Sequence, residues 1–257
     1  MTTIAEHLSQ VRQRIATACQ AVGRDPHSVQ LLAVSKTFPA EAVAEALSAG
    51  QTRFGENYIQ EGIEKVAALR AGGHNERQHL QWHCIGPIQS NKTRAVAEHF
   101  DWVHGIDRLR IAQRLSDQRP PELPPLQVCL QVNIDGGANK AGVAPQELLA
   151  LASAVAALPR LVLRGIMSIP EPSADYATQF AVHQQARALF DAAGQALAAR
   201  APARPEALQW DTLSLGMSAD LEAAIHAGST LVRVGSAIFG SRPRPTPVGP
   251  ADPVEPG

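Results

Sequence analysis

Strand-like and helix-like segments alternate along almost the whole of this sequence, and no other feature restricts its fold as strongly. Strand patterns at 31–35, 53–58, 80–86, 102–106, 126–134, 161–168, 212–215 and 230–235 are each followed by a helical pattern or turn. The helical patterns fall at 39–49, 59–70, 91–100, 107–116, 145–157, about 174–200, 218–227 and just after Gly235, with Asp107 and Ser218 expected as caps. Such alternation forces parallel strands joined by helical crossovers. Eight units in roughly 250 residues is the size of a (β/α)8 TIM barrel. A further helix, 3–22, stands in front with Ile4, Leu8, Val11, Ile15 and Ala18 on one face. An open doubly wound sheet is the alternative, but no Gly-x-Gly-x-x-Gly follows the first strand. We expect one barrel domain over 1–240. Residues 241–257 are too proline-rich for a core and are expected to be a disordered tail.

Composition narrows the class of protein. With 257 residues, 45% of them hydrophobic, and a net charge of −1, a soluble globular protein is expected. No basic block offers a footprint for nucleic acid. No apolar run is long enough to span a membrane, and the N-terminus lacks the pattern of a signal peptide. Three cysteines, Cys19, Cys84 and Cys129, have no paired spacing, which suits a reducing compartment. A cytoplasmic location is expected.

A barrel places its chemistry at the carboxyl ends of its strands. The first strand, Leu31-Leu32-Ala33-Val34-Ser35, runs directly into Lys36, with Pro39 marking the helix that follows. The chain has 23 basic residues, yet only four are lysines, so arginine carries most of the charge. A desolvated lysine can attack a carbonyl as a free amine; a rim lysine reaching for water is the plainer alternative.

Strands seven and eight end in a second signal. Gly216 permits a tight turn before Ser218, and Gly235-Ser236 open another helical turn. Bare N–H groups at helix starts bind phosphate, although ordinary capping uses the same residues. Arg233, inside Leu231-Val-Arg-Val-Gly235, is a permanent cation beside this cup if it points toward the mouth. A carbonyl-seeking lysine, a phosphate cup and an arginine together describe a site for pyridoxal phosphate.

His74, His79, His83 and Cys84 crowd one strand and its entry loop, but His79 and His83 would stand about 13 Å apart along it, too far to share one metal ion. No metal site is expected, and His83 is read as a polar member of the barrel mouth. Lys140 reads as a solvated loop lysine.

Five blocks carry a resemblance: Ala33-Val-Ser-Lys-Thr37, Phe54-Gly-Glu-Asn-Tyr-Ile-Gln-Glu61, Trp82-His-Cys-Ile-Gly-Pro-Ile-Gln-Ser-Asn-Lys92, Gly216-Met-Ser-Ala-Asp-Leu-Glu-Ala-Ala-Ile225 and Val232-Arg-Val-Gly-Ser-Ala-Ile-Phe-Gly240. Over about residues 5–242 the chain resembles the pyridoxal phosphate homeostasis protein family. The resemblance implies a barrel of the alanine racemase N-terminal type and pyridoxal 5'-phosphate as cofactor, joined to Lys36 as a Schiff base. It further implies that Ser218, Gly235 and Ser236 hold the phosphate, that Arg233 faces the pyridine nitrogen, and that Asn57 and Met167 are wall residues of the pocket. Phe38 and Ala219 depart from the family pattern, in positions expected to lie away from the chemistry.

Two functions follow from the resemblance. One is a protein that buffers or delivers the cofactor in vitamin B6 homeostasis, a monomer with pyridoxal-phosphate-dependent apo-enzymes as transient partners. The other is a racemase-like enzyme. Racemisation needs a second acid or base opposite the lysine. In the racemases that group is a tyrosine from a separate β-domain of a partner subunit, and this sequence ends with the barrel. An arginine at the ring nitrogen would also leave the ring a poor electron sink. The binding protein is the expectation.

Overall fold

Residues 31–34 are apolar on both faces, so they can form a strand only where both faces are covered. The structure, a computed structural model, describes residues 3–72, 80–137, 140–200 and 204–240. There β1 (Gln30–Val34) sends Leu31 and Ala33 out against the helices, while Leu32 and Val34 pack inward with Ile85 and Leu231. The same division of inner and outer residues recurs round a closed barrel of β1, β2 (Arg53–Glu56), β3 (Gln81–Cys84), β4 (Trp102–Ile106), β5 (Leu126–Gln131), β6 (Leu161–Met167), β7 (Leu208–Ser214) and β8 (Leu231–Val234). All neighbouring pairs are parallel, and β8 closes the ring on β1, with Leu32 opposite Arg233 and Ala33 opposite Val234.

The covering helices are α2 (Ala40–Ser48), α3 (Ile59–Ala71), α4 (Thr93–His99), α5 (Leu109–Gln118), α6 (Leu148–Ala156), α7 (Tyr176–Ala199), α8 (Leu221–His226) and α9 (Ser236–Phe239). The leading helix α1 (Ile4–Ala21) starts in a capping box between Thr3 and Glu6 and buries Leu8, Val11, Ile15, Ala18 and Cys19. It packs across α8, α9 and α2 on the flank of the barrel. His7 Nδ1 donates to the Ile238 carbonyl at 2.9 Å, and Arg14 grips Glu222 at 2.9 Å and the Ser218 carbonyl at 3.2 Å.

Two details here differ from the sequence expectation, and a third was not anticipated by it. Strand β7 begins at Leu208 rather than 212, because its first four residues alternate between half-buried and exposed and carry little apolar signal. Asp107 does not cap α5: its carboxylate accepts from the Arg108 guanidinium, and the helix starts one residue later than that arginine. A register shift in β6 falls at Gly165, where φ is +146° and a Cβ would stand 2.0 Å from the Thr212 carbonyl oxygen, so only glycine fits. The tail 241–257, with His74 and His79, lies outside the described residues.

Candidate functional site

Among the described residues, a surface hollow of about 530 Å³ lies between the Thr37 turn and α3, and two further cavities open at opposite ends of the barrel. The larger of these two, about 470 Å³, lies at the amino ends of β1 and β2 between Arg12, His27, Gln30 and Arg53. The smaller, about 280 Å³, lies at the carboxyl ends of β1, β2, β7 and β8, and brings together Lys36, Asn57, Ser218, Arg233, Gly235 and Ser236. Chemistry selects the smaller one. Its reactive and anion-binding groups converge, and it sits on the face where barrels do their work.

Lys36 occupies the turn leaving β1, half-buried, on the pocket wall. The turn is tied to the barrel by the Ser35 N–H, which donates to the Gly55 carbonyl at 3.1 Å, and closed by the Phe38 N–H on the Ser35 carbonyl at 3.1 Å. Asn57, just past β2, carries a buried amide oxygen with no hydrogen-bond donor.

Opposite stands Arg233, whose inward position on β8 leaves it 4% exposed. Its Nη1 donates to the Ser214 carbonyl at 2.7 Å and to Ser214 Oγ at 2.8 Å, and its Nη2 to the Ser168 carbonyl at 2.9 Å. Burial lowers its pKa to about 10, so it remains a cation at neutral pH. Ser214 Oγ, already accepting from Arg233, has its own proton for His104 Nδ1 at 3.1 Å. With that proton donated, His104 carries its hydrogen on Nε2, which reaches His83 Nδ1 at 2.9 Å. Burial, then the Arg233 charge, push His104 down to about 3; burial and then its neighbour His104 push His83 well below the usual imidazole range. His83 is therefore not at the mouth. It lies fully buried inside the barrel, stacked on Trp102 at 5.1 Å.

Two hydroxyls face each other just past the ends of β7 and β8. Ser218 Oγ and Ser236 Oγ approach to 3.4 Å, and Gly235 sits at the start of α9, so close to β1 that a Cβ would stand 3.1 Å from the Val34 carbonyl oxygen. Ser218 is not the cap of α8, which begins only at Leu221. The turn is instead held by Asp220, whose carboxylate accepts from the Met217 N–H at 2.6 Å and from His183 Nε2 at 2.9 Å. Burial alone would raise the Asp220 carboxyl, but these two hydrogen bonds outweigh it and keep its pKa below the usual range.

Met167 does not line the pocket. It is fully buried, packed with Trp102 and Cys129, and Ile169, two residues past the end of β6, lines the wall instead. Phe38 and Ala219, expected away from the chemistry, both line the pocket. Lys140 pairs with Asp135 at 2.8 Å, and its neighbours 138 and 139 lie outside the described residues. Sequence reasoning missed His104 and Ser214; the alternation Trp102-Val103-His104 was the available signal, since it places both rings inward. Among the described residues no cluster of His, Cys, Asp and Glu is close enough to hold a metal, and no helix is long and apolar enough to cross a membrane.

Comparison with known proteins places the chain in a family. The family model described as alanine racemase, N-terminal domain, matches residues 7–243. The pyridoxal phosphate homeostasis protein of Escherichia coli (strain K12) is 56% identical over 242 residues, covering 94% of this chain and 98% of that one. That of Pseudomonas aeruginosa is 56% identical, with 94% and 97% covered. The structure of PipY from Synechococcus elongatus PCC7942 with pyridoxal phosphate bound is 36% identical, covers 93% of this chain and 100% of that one, and superposes with a TM-score of 0.76. With identity of this order along nearly its entire length, the chain belongs to the pyridoxal phosphate homeostasis protein family.

Proposed function

We propose that this protein binds pyridoxal 5'-phosphate at the barrel mouth through Lys36 and serves intracellular vitamin B6 homeostasis by taking up and surrendering the cofactor. One observation carries the reading. A single pocket gathers a lysine amine, a buried arginine and two facing hydroxyls, and no other titratable side chain lines it among the described residues. The residues fit the group: the unpartnered oxygen of Asn57 offers an acceptor inside the pocket, and a Cβ at Gly235 would crowd the backbone.

When bound, the cofactor supplies an aldehyde that condenses with a primary amine. Lys36 provides that amine from a fixed turn. Ser218, Ser236 and the N–H groups opening α9 receive the phosphate, since the first N–H groups of a helix have no partner within it. Arg233 would stand beside the ring nitrogen and would keep its own proton, so it would add little to the ring's capacity to stabilise negative charge. The walls Val34, Phe38 and Ile85 exclude water from one side of the pocket.

The same arrangement argues against a racemase-like enzyme. A second acid or base is needed opposite the lysine, and the two tyrosines do not supply it: Tyr58 is exposed, and Tyr176 gives its hydroxyl to His226 at 2.5 Å outside the pocket. We read the protein as a cytoplasmic monomer, with three buried free cysteines that suit a reducing compartment, and with apo-enzymes that use the cofactor as transient partners.

The test is a visible spectrum before and after borohydride, followed by peptide mapping. The pyridoxyl group is expected on Lys36, and Lys36→Ala is expected to lose the reducible chromophore; its persistence at full stoichiometry would sink the assignment. Deuterium uptake at the α-carbon of alanine and other amino acids should not exceed that with free cofactor. Lys36-dependent exchange at about 1 per second or faster would make the protein an enzyme.

A further inference from the structure

The turn that carries Lys36 contains a conformation that its sequence does not favour. Thr37, a β-branched residue, has φ of +69°, in the left-handed region that such residues avoid. Something must hold it there. The residues on either side of Lys36 are gripped from one buried centre, the ammonium of Lys65 on α3.

Lys65 Nζ donates to the Ser35 carbonyl at 2.7 Å, to Glu56 Oε1 at 2.8 Å and to Glu61 Oε1 at 2.6 Å, which uses all three of its hydrogens. Ser35 Oγ donates to the same Glu56 oxygen at 2.7 Å. The Thr37 N–H donates to the same Glu61 oxygen at 2.5 Å. Ser35 is thus fixed through its carbonyl and hydroxyl, and Thr37 through its N–H, while Lys36 between them lines the pocket. Lys65 is 4% exposed, and Glu56 and Ser35 are fully buried.

We propose that Lys65, Glu56 and Glu61 are positioning residues for Lys36, clamping both of its chain neighbours so that its amine is presented to the pocket. The proposal rests on the reading of Lys36 as the reacting amine. Simple stabilisation of the fold is a weaker explanation, because buried ions are costly to desolvate and apolar packing of similar volume often serves as well. Apolar packing cannot accept the Thr37 N–H and hold a threonine at positive φ. A charged acceptor can.

Glu61 is the residue to vary, because it is partly exposed and its loss leaves Lys65 paired with Glu56. Two readouts are needed on Glu61→Ala and Glu61→Gln, with Lys65→Met as a further variant where it folds. The first uses the protein without cofactor: amide hydrogen exchange at Thr37 should quicken by about tenfold or more in Glu61→Ala, as expected for one lost charge-assisted hydrogen bond. The second is the rate at which added pyridoxal phosphate becomes borohydride-trapped on Lys36. It should fall by about tenfold in Glu61→Ala and recover to within about threefold in Glu61→Gln, which retains the acceptor. A folded Glu61→Ala variant with parental exchange at Thr37, or with faster exchange and an unchanged trapping rate, would overturn the proposal. So would a Glu61→Gln variant as slow as Glu61→Ala. If the parent protein is not trapped at Lys36 at all, the functional reading fails, while exchange at Thr37 still decides whether the clamp exists.

Discussion

Two buried cations support the pocket from opposite sides, and they are partnered in opposite ways. Lys65, beneath the Lys36 turn, touches two carboxylates, those of Glu56 and Glu61. Arg233, across the pocket, touches two carbonyl oxygens and one hydroxyl, and the imidazoles beyond that hydroxyl are held neutral by burial. A cation whose contacts are carboxylates has its field cancelled nearby and acts as a structural fastening. One whose direct contacts are neutral acceptors is oriented just as firmly and, offset only by the Asp220 carboxylate farther off, keeps more of its field for a ligand. The Lys36 side is therefore built for geometry, and the Arg233 side is built for charge.

The sharpest way to break this contrast is to remove each cation. Lys65→Met leaves Glu56 buried without its counterion, and unfolding free energy in urea should fall by about 3–5 kcal/mol. Arg233→Met leaves only neutral acceptors unpaired, and the same measurement should show a loss of about 1–3 kcal/mol, with cofactor affinity suffering most. Equal stability losses in the two variants would erase the distinction.

Acid tests the neutral imidazoles. An unfolded histidine takes up a proton near pH 6.5, whereas burial delays His104 to about 3. The unfolded state binds the extra proton in between, so stability should fall as pH drops through that window, by about 2 kcal/mol for His104 between pH 6.5 and 5. Denaturation curves for His104→Gln should be flatter over this range; an unchanged slope would mean that His104 titrates normally in the folded protein.

On the charge side, Gly235→Val should weaken cofactor binding by one to a few kcal/mol, roughly the worth of a charge-assisted hydrogen bond, with little change in the reactivity of Lys36 toward other aldehydes. Unaltered affinity in a folded variant would move the phosphate elsewhere. The smallest effect is expected from truncation after residue 240, which should leave thermal stability and cofactor binding unchanged, since the proline-rich run that follows is unsuited to a ladder or helix interior. A clear loss of either would join those residues to the barrel.

The eight units were legible because each strand joins a short apolar run to a helical period, a signal carried by neighbouring residues. Lys36, Arg233 and the Gly235-Ser236 pair were legible for a related reason, since each stands at or near a strand's carboxyl end. Depth was not legible. Met167 and His83 have the inward parity of pocket residues yet lie beneath the mouth, because parity gives the face of a strand and not its layer in the barrel. The Lys65 cluster was hidden for another reason. Its members come from the end of β1, the end of β2 and two turns of α3, and only the closed fold makes them neighbours.

The joint between β1 and β8 has a consequence for synthesis. Lys36 leaves the first strand of the barrel, whereas Arg233 lies on the last and Gly235 and Ser236 follow it directly, so the two halves of the pocket come from opposite ends of the barrel's sequence. A nascent chain that has produced its lysine turn has no pocket until the strands from β2 to β8 have been translated and the ring has shut. An unfinished or unclosed barrel therefore presents an amine without its arginine or hydroxyls, and any ligand that bridges the joint will by mass action favour the closed form over every partial one.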